Sequence, residues 1–383
     1  MHMYKLKIFL KPLLQILVSF IFLLGLGCTE STADADTEGS VGDTDSDADG
    51  DTDGDTDGDT DADSDSDSDA DGDLEPEDGR PVAVHGQLHV SGTALLDAQD
   101  RQVMLRGQGF GWDNWWPQYY NADVVKWLVE DWCVDMVRPA MGIEPDGAYL
   151  DNPDASKNHI TDVVEAAVAE DIYVIIDWHA HEVHEDDAVA FFAEMAKRYG
   201  EYPNVIYEVF NEPTNEQTWP EVKSYAEAVI GAIREYDPDN VIIVGSPEWD
   251  QRIDLVAEDP ITEYSNIIYS VHYYAATHGY WLRKMAEVAL MQDIPVIISE
   301  SGGSEASGTG DNDYEQWEEW FAFADEFNVS WINYSISDKT GETISALTPG
   351  ASAKGGWGDD ELTETGKYIR DVFRSYCSHG TGD

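Results

Sequence analysis

Two short stretches place a carboxylate where an apolar run stops. Val205–Pro213 reads VIYEVFNEP, a strand-like segment that ends in Asn211, Glu212 and Pro213. Proline stops a strand ladder because it has no N–H to donate. Pro295–Gly302 reads PVIISESG and ends in the same way at Glu300. Two carboxyl groups delivered by two strand ends are the minimum equipment for splitting a glycosidic bond with retention. One protonates the leaving oxygen and the other meets the oxocarbenium-like centre.

Such a pair needs a scaffold, and the chain has a rhythm that predicts one. Strand-like runs are expected at Val103–Gln108, Val134–Ala140, Tyr173–Trp178, Val205–Phe210, Val241–Gly245, Ile267–His272, Pro295–Glu300 and Val329–Tyr334. Segments with helical spacing separate them, and a last one spans Glu364–Tyr376. The segment 86–103 reads as a small hairpin turning at Ser91-Gly92. Strand–helix alternation repeated over about 300 residues, with strands apolar on both faces, predicts a single α/β domain of the (β/α)8 TIM-barrel class. An open doubly wound sheet would carry a glycine-rich phosphate turn opening a helix after its first strand. The segment Gly107–Gly111 has the glycines without that helix.

In a barrel of this kind the site lies at the C-terminal strand ends. The polar residues expected there are Arg138, Asp177, His179, Asn211, Glu212, His272, Tyr274, Glu300, Trp331, Asn333 and Tyr334. An arginine beside one of the two glutamates favours its ionised form for attack, and Arg138 is the candidate. Tyr274 can donate to the same carboxylate. Asn211 is placed to hold a sugar 2-hydroxyl, and an aromatic face such as Trp331 can pack on a pyranose ring.

Arg138, His179, Asn211-Glu212-Pro213, His272-Tyr273-Tyr274, Glu300 and Trp331 together resemble glycoside hydrolase family 5. YVIIDWH (173–179), YPNVIYEVFNEP (202–213), VHYYAATHG (271–279) and SALTPGASAKGGW (345–357) resemble its bacterial endoglucanase branch, in the family's order. The resemblance implies a retaining endo-β-1,4-glucanase with Glu212 as acid/base and Glu300 as nucleophile. Arg138, His179, Asn211, His272, Tyr274 and Trp331 would line the cleavage subsite. Lys339 and Trp115 would hold sugars toward the non-reducing side. Trp112 and Trp116 read equally as lid packing or as sugar platforms. Three positions depart from the branch: Gly111 stands where a histidine is usual, Ser301 where an aromatic follows the nucleophile, and Tyr334 where a tryptophan is usual. The alternatives are a relative acting on mannan, xylan, xyloglucan or mixed-linkage glucan, and a surface glycan-binding protein without activity.

The rest of the chain concerns location. Lys5, Lys7 and Lys11 precede an apolar run, Leu13–Leu26, which predicts an export signal over residues 1–28. LGLGC, ending at Cys28, resembles a lipoprotein cleavage box, with Gly25 where a leucine is usual, so Cys28 is the expected lipidation site. Ordinary cleavage and secretion, or an uncleaved anchor, are the alternatives, and all three place the rest outside the cytoplasm. Residues 29–80 are dominated by Asp-Thr, Asp-Gly, Asp-Ala and Asp-Ser pairs and cannot form a core. They are expected to be a disordered tether before the catalytic domain at 81–383. The formal charge is −57, and 23 of the 78 acids lie between Glu30 and Asp78. From Arg80 onward 55 acids still face 18 bases. That surface repels nucleic acid and suits a neutral β-glucan. No metal or organic cofactor is expected, because carboxyl groups carry both proton transfer and attack. A monomer is expected. No binding module is expected after Tyr376, which would favour soluble or amorphous glucan. With the barrel assumed, Cys133 and Cys377 both fall at its bottom, and a disulfide between them is the expectation.

Overall fold

The computed structural model describes residues 79–377. The export signal, Cys28 and the Asp-rich segment up to residue 78 lie outside the described residues.

The barrel starts with a plug. Helix α1 (Pro81–His85) leads into the antiparallel strands β1 (His89–Ser91) and β2 (Ala94–Leu96), which turn at Gly92 with φ 58°. Tyr173 Oη donates to Gly86 O at 2.7 Å and Val90 N–H to Asn266 Oδ1 at 3.0 Å. Both contacts lie at the starts of barrel strands, so the hairpin closes the N-terminal end. Val82, Leu88 and Leu95 join Ile206, Ile243, Ile268, Ile297 and Ile332 in one apolar cluster inside it.

Nine parallel strand segments follow: β3 (Arg106–Phe110), β4 (Met136–Arg138), β5 (Ala140–Gly142), β6 (Tyr173–His179), β7 (Val205–Glu208), β8 (Ile242–Val244), β9 (Ile267–Tyr274), β10 (Val296–Gly302) and β11 (Trp331–Ile336). Each pairs with the next in sequence apart from β4 and β5. Those two are a single barrel strand interrupted at Pro139, which cannot donate a ladder bond. β11 pairs with β3, β3 with β4, and β4 with β6, which closes the sheet into an eight-stranded TIM barrel. The intervening helices are α2 (Ala122–Trp127), α3 (Pro153–Ala169), α4 (Glu185–Tyr199), α5 (Trp219–Arg234), α6 (Pro247–Asp250), α7 (Ile253–Glu258), α8 (Tyr280–Met291), α9 (Tyr314–Phe327) and α10 (Glu364–Ser375).

Alternation along each strand sorts the side chains. In β6, Val174, Ile176 and Trp178 pack in the cluster shared with the helices, whereas Tyr173 and Ile175 belong to the inner one. Period-two geometry sends Asp177 and His179 inward with them.

Cys133 follows a π turn over Leu128–Trp132, and Cys377 follows α10. The two are joined as a disulfide, with Cα atoms 5.7 Å apart and a sequence separation of 244. In denaturant, Cys133 and Cys377 will stay unreactive to thiol reagents until reductant is added. Replacing both by serine will lower stability by about 2–5 kcal/mol in a denaturant titration. Two reactive thiols before reduction, besides any from Cys28, would count against the bridge.

Candidate active site

The centre of the barrel mouth is one buried guanidinium. Arg138, the last residue of β4, donates from Nε to Glu208 Oε2 at 2.5 Å, from Nη1 to Glu300 Oε2 at 2.8 Å and from Nη2 to Asn211 Oδ1 at 2.6 Å. Asp177 Oδ2 is 3.1 Å from the same Nη2. Three carboxylates thus surround one cation in a site closed to solvent, and they divide its charge unequally. Burial alone would lift Glu208, but Arg138 and His272 hold it down at about 2. Asp177 goes the other way: burial and the nearby Glu208 raise it well above the ordinary aspartate range despite Arg138.

Glu300 reaches this centre through an irregularity. The register of β10 against β9 shifts between Ile297 and Glu300, and a bulge of this kind re-aims the residues after it. Both Ser299 and Glu300 consequently make contacts on the barrel interior. Ser299 Oγ donates to Glu208 Oε1 at 2.5 Å and meets His272 Nε2 at 2.9 Å. Glu300 accepts from Tyr274 Oη at 2.5 Å besides Arg138.

Glu212 lies in the loop after β7, and that loop is sewn to β6. Asn211 N–H donates to Trp178 O at 3.0 Å and Glu212 N–H to Ala180 O at 3.2 Å. The Glu212 carboxylate sits between two imidazoles, His272 Nδ1 at 2.9 Å and His181 Nε2 at 3.2 Å. Burial would raise Glu212, but hydrogen bonds from both histidines outweigh it and hold the carboxyl well below its usual range. An oxygen of Glu212, a nitrogen of His272 and an oxygen of Glu300 all lie within 4.8 Å of one another. They open into a cleft of about 390 Å³ that Trp249, Tyr274 and His278 also line.

Comparison with known proteins decides the family. Residues 96–340 match the model for Cellulase (glycosyl hydrolase family 5). The chain belongs to glycosyl hydrolase family 5. It is 40% identical over 309 residues to Endoglucanase N of Pectobacterium atrosepticum, covering 79% of this chain and 69% of that protein. It is also 40% identical over 309 residues to Endoglucanase 5 of Pectobacterium carotovorum subsp. carotovorum, covering 79% of this chain and 60% of that one. The chain therefore spans only part of these relatives' length. A solved structure from Cytophaga hutchinsonii superposes with a TM-score of 0.76 at 45% identity, covering 78% of this chain and 97% of that one. The catalytic domain of Thermobifida fusca endoglucanase Cel5A, solved as a Glu-to-Gln variant in complex with cellotetraose, gives 0.73 at 31% identity, covering 77% and 100%.

In this family 5 chain the structure gathers Arg138, His179, Asn211, Glu212, His272, Tyr274 and Glu300 around the barrel mouth. His272 has both ring nitrogens occupied, by Glu212 and Ser299, so it holds Glu212 rather than presenting a free nitrogen to a sugar. His179 is buried and bonds Asp177 Oδ2 through Nδ1 at 2.7 Å. Burial, then the charge of Arg138, lowers it to about 3, which keeps the ring neutral. Trp331 is a correction. It is buried at the start of β11 and packs on Phe321 and Phe373 at ring distances of 4.9 and 5.1 Å, in the helical layer. Alternation on β11 turns Tyr334 inward instead, and its ring lies parallel to His179 at 6.2 Å and 8°.

The first loop explains one departure. A Cβ at Gly111 would stand 2.6 Å from the Trp116 ring, so the buried tryptophan fills the space a histidine side chain would need. Trp112 instead presents its ring to His179 at 4.6 Å and to His181 at 5.7 Å. Trp115 is half-exposed and stacks on Trp112 at 4.8 Å. Ser301 turns away and donates to Ile332 O at 2.8 Å. Lys339 lies beyond β11 with its ammonium on Glu342. Sequence reasoning missed His181, Ser299, Glu208 and Asp250. Glu208 was open to detection, since a charge inside an apolar, strand-like run must be paired.

Removing the guanidinium strands buried acids. Arg138→Met is expected to destabilise the fold by roughly 3–5 kcal/mol at neutral pH, read from denaturant midpoints. The folded Glu208 sits below its ordinary value of 4.5. Its contribution is therefore fully present above that pH and disappears as pH falls toward about 2. Wild type will lose stability steeply across that window, and Arg138→Met will show a shallower slope.

Proposed function

We propose that this chain is a retaining endo-β-1,4-glucanase with Glu300 as nucleophile and Glu212 as acid/base. The observation that carries the reading is that a carboxylate oxygen of Glu212 and one of Glu300 lie within 4.8 Å of each other across the cleft. Retaining pairs stand about 5–5.5 Å apart, whereas inverting pairs leave room for a water. The donors fit the roles. Arg138 and Tyr274 fix both oxygens of Glu300 and favour its ionised form for attack on the anomeric carbon. Glu212 protonates the departing oxygen, then takes a proton from the water that releases the glycosyl intermediate. Asn211 Nδ2 is buried and has no hydrogen-bond partner among the described residues, which leaves it for the sugar 2-hydroxyl.

The substrate class rests on the family and on the relatives' names as endoglucanases, together with the cellotetraose complex of the Thermobifida fusca domain. Trp115 and Lys339 are assigned to sugars toward the non-reducing side, with Tyr334 rather than Trp331 as the aromatic inside the site. The basic, apolar N-terminus ending at Cys28 supports export and lipid anchoring. Cys28→Ala should move the protein from the membrane to the soluble fraction.

The test is a reducing-sugar assay on carboxymethylcellulose, mannan and xylan. Wild type should be most active on the glucan, and Glu300→Gln should be inactive on all three. Glu212→Gln should lose about 10²–10⁴-fold on carboxymethylcellulose, the span general acid–base catalysis contributes. Proton NMR of the first product should show the β-anomer. An α-anomer, or glucan binding without turnover, would overturn the reading.

A further inference from the structure

A general acid must carry a proton, yet hydrogen bonds from two imidazoles favour the ionised form of Glu212. The proton has to come from a neighbour, and the two histidines differ in what they can give. His272 is buried, with Asp250 3.3 Å and Glu208 3.7 Å from Nε2 and Glu212 2.9 Å from Nδ1. Releasing its proton would leave those acids facing a neutral ring, away from any water that could restore it. The His181 side chain is about one-third exposed, at 34%.

The His181 contact is also built. Backbone N–H groups of His181 and Glu182 both donate to Glu144 Oε1, at 2.9 and 3.0 Å. His184 Nε2 stands 3.4 Å from the same oxygen. The His181 ring lies at 21° to Trp112. The Glu212 N–H bond to Ala180 O ties the two loops together one residue before the histidine. Loop and ring are thus fixed independently of the carboxylate they meet.

We propose that His181 stores the proton that Glu212 delivers, passing it across the 3.2 Å contact from Nε2 to Glu212 Oε2 as the glycosidic oxygen arrives. This rests on the reading of Glu212 as acid/base. In glycosylation the imidazolium N–H bond breaks and a carboxyl O–H forms. That proton then moves to the leaving oxygen while the C–O bond breaks and Glu300 bonds the anomeric carbon. His181 is left neutral. In deglycosylation a water oxygen bonds the anomeric carbon and Glu300 departs as carboxylate. The water's proton returns through Glu212 to His181, so each cycle closes.

The charges around the pair favour storage of the proton on His181 before the substrate arrives. His181 faces Glu212 from the loop after β7, Glu144 from the loop after β5, Glu300 from β10 and His179 from β6. Burial would lower it, but bonding to Glu212 and the carboxylates outweigh that and raise it above an ordinary histidine. Glu212 also faces His272 and Tyr274 from β9, Asp177 from β6, Asp250 from α6 and His278. Because the proton belongs to the pair, its loss follows a macroscopic value set by both groups.

His181→Gln keeps an N–H donor for Glu212 and removes the titration. In the intact protein, the basic limb of kcat/KM against pH on cellohexaose should move down by about one unit or more, with the acid limb in place. On 2,4-dinitrophenyl β-cellobioside, whose leaving group needs little protonation, the loss at neutral pH should be at least about tenfold smaller than on cellohexaose. Imidazole added to His181→Ala should restore cellohexaose turnover, with a midpoint following imidazole's own titration. An unmoved basic limb together with equal losses on both substrates would overturn the relay and leave a merely structural histidine. Glu212→Gln run alongside separates the two readings. If it keeps full cellohexaose activity, the acid/base assignment itself fails.

Discussion

Everything at the mouth of this barrel is arranged about the Arg138 guanidinium. Its partners arrive from β6, β7, the loop after β7 and β10, so four parts of the chain converge on one planar cation. A fork of donors suits this position because it meets several acceptors in fixed directions. The cation cannot neutralise three acids, and the surplus is handled locally. Asp177 is biased toward its protonated form, and Glu208 takes further donation from Ser299. Through Ser299 the network continues to His272, and from there to Glu212.

This network gives the two glutamates opposite surroundings. Glu300 is held by an arginine and a tyrosine, neither of which changes charge near neutral pH. Glu212 is held by two histidines, the side-chain type whose ordinary titration lies nearest neutral pH. Under the proposed assignment, two identical carboxyl groups would take separate tasks from the titration behaviour of their donors, the general means by which one site runs acid and base chemistry together.

The barrel and most of its mouth were legible because apolar runs ending in polar residues report strand ends directly. What stayed hidden has specific causes. Trp331 and Tyr334 are both aromatic within one run, and only the inward parity of Ile332 tells which faces the site. The shift in β10 lets neighbouring Ser299 and Glu300 both reach interior partners, against simple alternation. Pro139 divides a strand that reads as continuous. Asp250 ends a run of three left-handed residues, Glu248, Trp249 and Asp250, at φ 59°, 57° and 59°, and no pattern of hydrophobicity announces such a turn. His181 depends on a loop whose path is set by Glu144, far from it in sequence.

The inward polar layer has a further consequence, for assembly rather than chemistry. Above the apolar floor formed by the hairpin and the inner isoleucines, Asp177 and Glu208 are aligned in the β6–β7 register, and both meet Arg138 from the neighbouring β4. Sliding one strand by a single residue would turn its acid toward the helices and away from Arg138. Apolar strands alone would tolerate such an error, since Val, Ile and Leu serve either face. The buried charges therefore act as keys that admit one alignment of the staves.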